Sequence, residues 1–509
     1  MEPVTQRPTE APGAPRALHH FVAGALRAGT SGRTSPVYDP ARGVQTGLVP
    51  LAGVHEVDEA VANAQAAFEE WRHVSIARRT KLMFRFRDLV ERNAGEIARR
   101  LTAEHGKVLA DAQGEVARGL ENIEYACGLA ELLKGTYSEQ ASTGIDVYSV
   151  RRPLGVVAGI TPFNFPAMVP LWMLPNAIAC GNTFVLKPSE RDPSAPSFLA
   201  ELFHEAGFPA GVLNVVHGDR VAVDRLLVHP DVKAVSFVGS TPVARHVYQT
   251  ATAHGKRVQA LAGAKNHMVV LPDADVDLAA DSAVSAAYGS AGERCMAISV
   301  VVTVGKVADP LVTAIADRLP RLRVGSGFDP DSEMGPLITR EHRDRVARYL
   351  DEGARDGAQV IVDGRKTAFE GDGFFLGASL LDRVRPGMSV YEDEIFGPVL
   401  CVLRVDTYQE AVDLIARNPW GNGAAIFTRD GGAARRFQED ADAGMVGINV
   451  PIPVPVGYHS FGGWKESAFG DHTIYGPEGV HFYTKPKVLT VRWPDPSGSR
   501  VDLGFPTNR

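Results

Sequence analysis

Val156-Val157-Ala158-Gly159-Ile160 runs directly into Thr161-Pro162-Phe163-Asn164. The five apolar residues, rich in β-branched side chains, predict a strand buried on both faces. Thr183-Phe184-Val185-Leu186, Leu213-Asn214-Val215-Val216 and Ala234-Val235-Ser236-Phe237-Val238 have the same character. Helical stretches separate them, such as Ser197 to Ala206. Strands alternating with helices imply right-handed crossovers and a parallel sheet. Such a sheet holds its ligand at the carboxyl ends of its strands. Those ends carry Thr161-Pro162-Phe163-Asn164, Lys187-Pro188-Ser189-Glu190 and Gly239-Ser240-Thr241.

Upstream, residues about 56–135 read as helices. Val57, Val61, Ala64, Phe68 and Trp71 recur at three- and four-residue steps and form one apolar stripe. Thr136 to Pro153 turns to polar alternation, which predicts an extended segment. A second α/β rhythm begins near His267. It includes Val300-Val301-Val302, Pro398-Val399-Leu400, a helix over Tyr408–Arg417 and Ala424-Ala425-Ile426-Phe427. Lys487-Val488-Leu489-Thr490-Val491 is strand-like. It can pair with the segment before Pro153 or with the sheet edge of another subunit.

The chain has 509 residues, 45% of them hydrophobic and 22% charged, with a net charge of -7. That is enough for two or three domains. The acidic balance argues against a nucleic-acid partner. No apolar run reaches the roughly 20 residues of a membrane helix, which argues against a membrane partner. The N-terminus, rich in Pro, Glu and Thr, lacks the apolar core of a secretory signal. It reads as a disordered tail over residues 1–17 of a cytoplasmic protein. Cys127, Cys180, Cys295 and Cys401 are scattered without a CxxC pair, so neither a disulfide framework nor a metal cluster is expected.

Each candidate site residue has two readings. Lys187 and Glu190 can hold a ribose diol, or form a solvated turn with Ser189 as helix cap. Gly239-Ser240-Thr241 can present N–H groups to a pyrophosphate, or make an ordinary strand-to-helix turn; it is not the G-x-G-x-x-G fingerprint. Asn164, in a Pro-bracketed loop, can donate to an oxyanion or serve turn chemistry. Arg118 and Arg294 can clamp a carboxylate, or form surface ion pairs. Cys295 follows Gly289, Gly292 and small residues, which lets the backbone turn tightly. The adjacent Arg294 is expected to lower the thiol pKa. Glu394, in Glu392-Asp393-Glu394-Ile395-Phe396-Gly397-Pro398, can hold a second ribose or form an exposed acidic turn.

In this combination and order, the motifs resemble the aldehyde dehydrogenase superfamily, from about His20 to Trp493. The nearest likeness is to its CoA-acylating methylmalonate-semialdehyde (malonate-semialdehyde) dehydrogenases. Thr161-Pro162-Phe163-Asn164-Phe165-Pro166, Gly263-Ala264-Lys265-Asn266-His267, Gly292-Glu293-Arg294-Cys295-Met296 and Asn449-Val450-Pro451-Ile452-Pro453-Val454-Pro455 carry it. The resemblance implies Cys295 as nucleophile and Asn164 as oxyanion donor, joined by the Cys295 N–H. It places Thr161, Phe163, Lys187, Glu190, Arg191, Ser240, Ala262 and Glu394 on NAD, and Arg118 and Arg294 on substrate. Hydrolytic relatives usually carry Glu where this chain has Leu261. One departure is Ala244, where relatives usually have Gly.

The implied fold is α/β. A Rossmann-like NAD-binding domain (18–135 and 154–266) precedes an α/β catalytic domain (267–482). A small β oligomerisation arm with the C-terminal tail takes 136–153 and 483–509. The implied reaction is NAD-dependent, CoA-acylating oxidative decarboxylation of malonate or methylmalonate semialdehyde, in a homodimer or homotetramer with no bound metal. The alternatives are a hydrolytic NAD(P)-dependent aldehyde dehydrogenase and a non-catalytic scaffold on the same fold.

Overall fold

The computed structural model describes residues 15–493. The tail expected over 1–17 and the C-terminal tail therefore lie largely outside the described residues. Arg16–Ala17 fall inside them and form a strand, pairing with Gly47 and Leu48. The expected tail thus overran: Arg16 is tied down by backbone pairing and by an ion pair to Glu104 at 3.2 Å.

The opening stretch forms the strand Val156–Ile160, with all five residues buried. It lies at the centre of an eight-stranded sheet, between Val232–Val238 and Thr183–Lys187. Arg257–Leu261 and Leu213–Val215 extend the parallel part on either side. His20–Val22, Ala25–Arg27 and Ala468–Phe469 add antiparallel edges. Parallel strands need covered faces, and helices supply the cover. Val54–Trp71 buries Val57, Val61, Ala64, Phe68 and Trp71, the whole expected stripe. Met168–Ala179 is buried at every residue.

A second sheet has seven strands in the order Gln359–Val362, Ser379–Asp382, Val399–Val405, Ile298–Val304, Asn266–Val270, Gly423–Phe427 and Met445–Ile448. All pairings are parallel except the first. Its core includes Val300–Val302 and Leu400–Val402, at 0% exposure.

A third sheet is antiparallel and stands largely open to solvent. Thr484–Arg492 pairs along its length with Ile145–Pro153, which pairs in turn with Tyr137–Ser142. The C-terminal strand therefore finds the segment before Pro153 in its own chain. Its other edge has no partner among the described residues, and Val488 on it is 64% exposed. Among the described residues no helix is long and apolar enough to cross a membrane.

Candidate active site

Cys295 lies between the two large sheets. The eight-stranded sheet offers the carboxyl ends of its strands, while the seven-stranded sheet offers the start of Ile298–Val304. The approach to the thiol is a tight left-handed turn: Ser290, Ala291 and Gly292 have φ of 53°, 52° and 73°. Such values are costly for non-glycine residues, so packing holds them, and all three are buried.

Two cavities meet at this residue. One, of about 230 Å³, brings together Phe163, Asn164, Arg191, Ser240, Ala262 and Glu394 with Cys295. The other, of about 300 Å³, brings together Arg118, Arg294 and Cys295 against an apolar wall of Phe165, Met168, Trp172 and Phe461. A larger surface cavity of about 460 Å³ lies on the far side of Arg294 and does not include the thiol. Of its arginines, Arg318 is occupied by Asp277 and Asp281.

In the first cavity, Ser240 caps the helix Thr241–Ala253. Gly239 and Ser240 line the cavity, so the helix start and the positive end of its dipole lie beside it, a fit for a pyrophosphate. Ala244, the departure from the resemblance, turns its methyl into the core at 0% exposure rather than toward the cleft. Thr161, Lys187 and Glu190 do not line the cavity. They follow the neighbouring strands, with Lys187 Nζ 3.1 Å from Glu190 Oε2. Burial raises the Glu190 carboxyl, but Lys187, its own backbone N–H and Arg191 outweigh this and hold it below the usual range. Thr161 Oγ1 is buried with no partner among the described residues. An ionised carboxylate, a lysine and an orphaned hydroxyl at adjacent strand ends fit the ribose side of a dinucleotide. Glu394 accepts the Ala264 N–H at 2.9 Å. Gly263 is needed here, because a Cβ would meet Glu394 Oε2 at 2.7 Å and Thr241 Oγ1 at 2.8 Å.

In the second cavity both arginines face the space and both carry acidic partners. Arg294 donates to Asp111 at 2.6 Å, and Arg118 to Glu121 at 3.0 and 3.1 Å. Arg118 thus forms a surface ion pair and also lines the cavity. Arg294 does act to lower the thiol pKa, as expected, but the net shift is upward. Burial, reinforced by the Glu394 charge, pushes Cys295 up to about 12. Two backbone N–H groups and Arg294 act the other way and are outweighed. Leu261, 5% exposed, ends its strand with hydrocarbon, so position 261 supplies no acid.

Several residues important to the site escaped the sequence reading. Lys107 and Glu115 form an ion pair at 2.6 Å with neither side chain exposed. Lys107 also donates to the Asn164 carbonyl at 2.7 Å, and Glu115 accepts the Ala167 and Met168 N–H groups. Together they fix the loop that carries Asn164. His342 and Arg345 also line the first cavity, and Arg345 donates to His342 Nδ1 at 2.8 Å. Glu293 lies buried between His105 and His342, and burial pushes its carboxyl up to about 8. A solitary Lys in a turn or Glu in a helix gives no sequence signal. Glu293 had one, its place in Gly292-Glu293-Arg294-Cys295.

Residues 27–489 match the model of the aldehyde dehydrogenase family. The malonate-semialdehyde dehydrogenase of Pseudomonas aeruginosa is 55% identical over 494 residues, covering 96% of this chain and 99% of that one. Among solved structures, the methylmalonate-semialdehyde dehydrogenase of Oceanimonas doudoroffii superposes with a TM-score of 0.93 at 53% identity, covering 95% of this chain and 99% of that one. A Sinorhizobium meliloti protein assigned as a methylmalonate-semialdehyde dehydrogenase and complexed with NAD gives a TM-score of 0.94 at 51% identity, with the same coverage.

Proposed function

The chain belongs to the aldehyde dehydrogenase family, and we propose that it is an NAD-dependent, CoA-acylating dehydrogenase of malonate or methylmalonate semialdehyde. The observation that carries this reading is the position of Cys295, which borders a cavity with a dinucleotide's recognition groups and a second one with two arginines. Its names agree with those of the Pseudomonas aeruginosa and Oceanimonas doudoroffii relatives.

The dinucleotide would be held by Thr161, Phe163, Lys187, Glu190, Arg191, Ser240, Ala262 and Glu394. Glu190 favours NAD, since its carboxylate repels a 2′-phosphate. In the substrate cavity, Arg118 and Arg294 pair with the semialdehyde carboxylate and point its aldehyde at the sulfur. The Cys295 thiolate adds to the aldehyde carbon and gives a thiohemiacetal. The Asn164 side-chain amide and the Cys295 N–H stabilise the oxyanion. Bound NAD supplies the hydride-accepting chemistry that turns this adduct into a thioester. The thioester carbonyl accepts the electron pair released when the β-carboxylate leaves as CO2, and the same two donors stabilise the enolate. After protonation at carbon, the CoA thiolate displaces the acyl group, giving acetyl-CoA or propionyl-CoA and restoring the Cys295 thiolate.

Leu261 supports CoA as acceptor, since a hydrocarbon cannot deprotonate water. Glu394 supports the rival, hydrolytic reading. It borders the same cavity as Cys295, and burial pushes its carboxyl up to about 7, a value suited to a general base. Steady-state NADH formation with and without CoA decides between them. Turnover that requires CoA and yields the acyl-CoA is expected. Equal turnover without CoA, with free acid as product, would overturn the proposal.

The same reading assigns 18–135 and 154–266 to cofactor binding and 267–482 to catalysis. Residues 136–153 and 483–493 join subunits of a cytoplasmic homodimer or homotetramer, and the C-terminal tail to 509 lies outside the described residues. The separate sheets and the open edge of Thr484–Arg492 support this division.

A further inference from the structure

Two side-chain amides converge on one carbonyl, that of Cys295. Asn266 Nδ2 donates to it at 2.8 Å and Asn422 Nδ2 at 3.2 Å. Asn266 Nδ2 also donates to the Ala297 carbonyl at 2.9 Å, and its Oδ1 accepts the Gly423 N–H at 3.0 Å. Asn422 Nδ2 makes one further contact, to Met296 Sδ at 2.9 Å. Both amides are buried, at 2% and 4% exposure. A buried amide with its groups matched in this way has little freedom to turn.

The sheet explains the convergence. Asn266 opens the strand Asn266–Val270, and Asn422 immediately precedes Gly423–Phe427. Those strands are parallel neighbours, with His267 opposite Ala424. Ile298–Val304 flanks Asn266–Val270 on its other side, with Asn266 opposite Ile298. The thiol loop therefore enters the sheet beside the two residues that grip it.

The Cys295 carbonyl shares a peptide plane with the Met296 N–H. That peptide is trans, so the two groups point in opposite directions. Holding the carbonyl sets the direction of the N–H. The Cys295 and Met296 N–H groups both act to lower the thiol pKa. We propose that Asn266 and Asn422 are positioning residues for the Cys295 thiolate: by gripping its carbonyl they aim the Met296 N–H at the sulfur. The inference rests on Cys295 being the nucleophile. It goes further by naming what opposes the effect of burial on the thiol when position 261 offers no base.

The charged and titratable groups facing the sulfur leave room for such a device. Glu394 opposes ionisation and Arg294 favours it, while Tyr475 stands near with its own hydroxyl pushed up by burial. Arg294 is already engaged by Asp111. The oriented N–H dipole adds a fixed partial positive charge that needs no reorganisation when the thiolate forms.

The test is the pH dependence of iodoacetamide alkylation of the full chain without substrate, in wild type, Asn266→Ala and Asn422→Ala. Cys295→Ser identifies the signal against Cys127, Cys180 and Cys401, which are buried. Each Asn variant is expected to raise the alkylation midpoint by about one pH unit and slow the reaction at neutral pH about tenfold, with melting temperature measured alongside. An unchanged midpoint in either folded variant overturns the proposal, whatever happens to turnover. If Asn266→Ala does not fold, Asn422→Ala decides alone. Sustained NADH turnover by Cys295→Ser would instead refute the nucleophile itself, so the two failures are told apart.

Discussion

Leu261 ends the strand Arg257–Leu261 with a branched hydrocarbon and sits 5% exposed in the apolar cluster that Cys295 packs against. Leu261→Glu would place a carboxylate there. It is expected to start NADH turnover in the absence of CoA, with free acid as product, at some cost in stability from burying the acid. Arg294 gives a second prediction at this scale. Arg294→Leu removes one half of the carboxylate clamp and leaves Asp111 unpaired. Its kcat/KM for the semialdehyde should fall at least tenfold more than its kcat/KM for propanal, which has no carboxylate to clamp. An equal fall for both aldehydes would assign Arg294 to the fold instead.

At the scale of elements, the loop after Val156–Ile160 owes its shape to the helix Leu109–Cys127 and the turn before it. Lys107 and Glu115 cross that distance as a buried pair. Breaking such a pair leaves one charge uncompensated, typically at about 3–5 kcal/mol. Lys107→Met should therefore lower the denaturation midpoint. It should also reduce the rate of hydride release, because the Asn164 carbonyl loses its anchor. The sequence revealed elements whose local pattern agrees with their setting. Val156–Ile160 and Tyr408–Arg417 match their expected bounds. It missed Met168–Ala179, which is apolar on every face, so no helical period emerges, and which carries Pro170 and Pro175. It also missed the small sheet of Thr34–Asp39 and Val44–Pro50, whose polar and Gly/Pro content reads as loop. The site divides in the same way. Cys295, Asn164 and the strand-end residues announce themselves within short motifs. Lys107, Glu115, His342, Arg345 and the grip of Asn266 and Asn422 depend on contacts between segments far apart in the chain, which no local pattern encodes.

For the whole molecule, the buried acid Glu293 makes stability depend on pH. Its carboxyl is pushed up to about 8 by burial, against an ordinary value of 4.5. Between roughly pH 6.5 and 8 the folded chain keeps a proton that the unfolded chain has lost. Stability from this group therefore falls as pH rises through that window. His105 and His342, lowered by burial, act below it, where the unfolded imidazoles take up protons. Glu293→Gln removes the titration at nearly constant shape. Wild type should lose more thermal stability than Glu293→Gln between pH 6.5 and 8, read from melting curves at both. The same scale holds the prediction for assembly. Val488→Asp on the open edge of Thr484–Arg492 should lower the mass in light scattering while leaving the monomer's secondary structure intact.

The grip on the Cys295 carbonyl draws on positions 266 and 422, so the thiol loop is completed only when the middle and last thirds of the chain have come together. A chain still emerging from the ribosome, with residue 295 made but residue 422 not, carries an ordinary cysteine at 295. Its sulfur acquires special reactivity at the last stage of maturation. An immature copy would expose the same sulfur as an ordinary free thiol, and only the finished polypeptide would set it beside groups that aim it at an aldehyde.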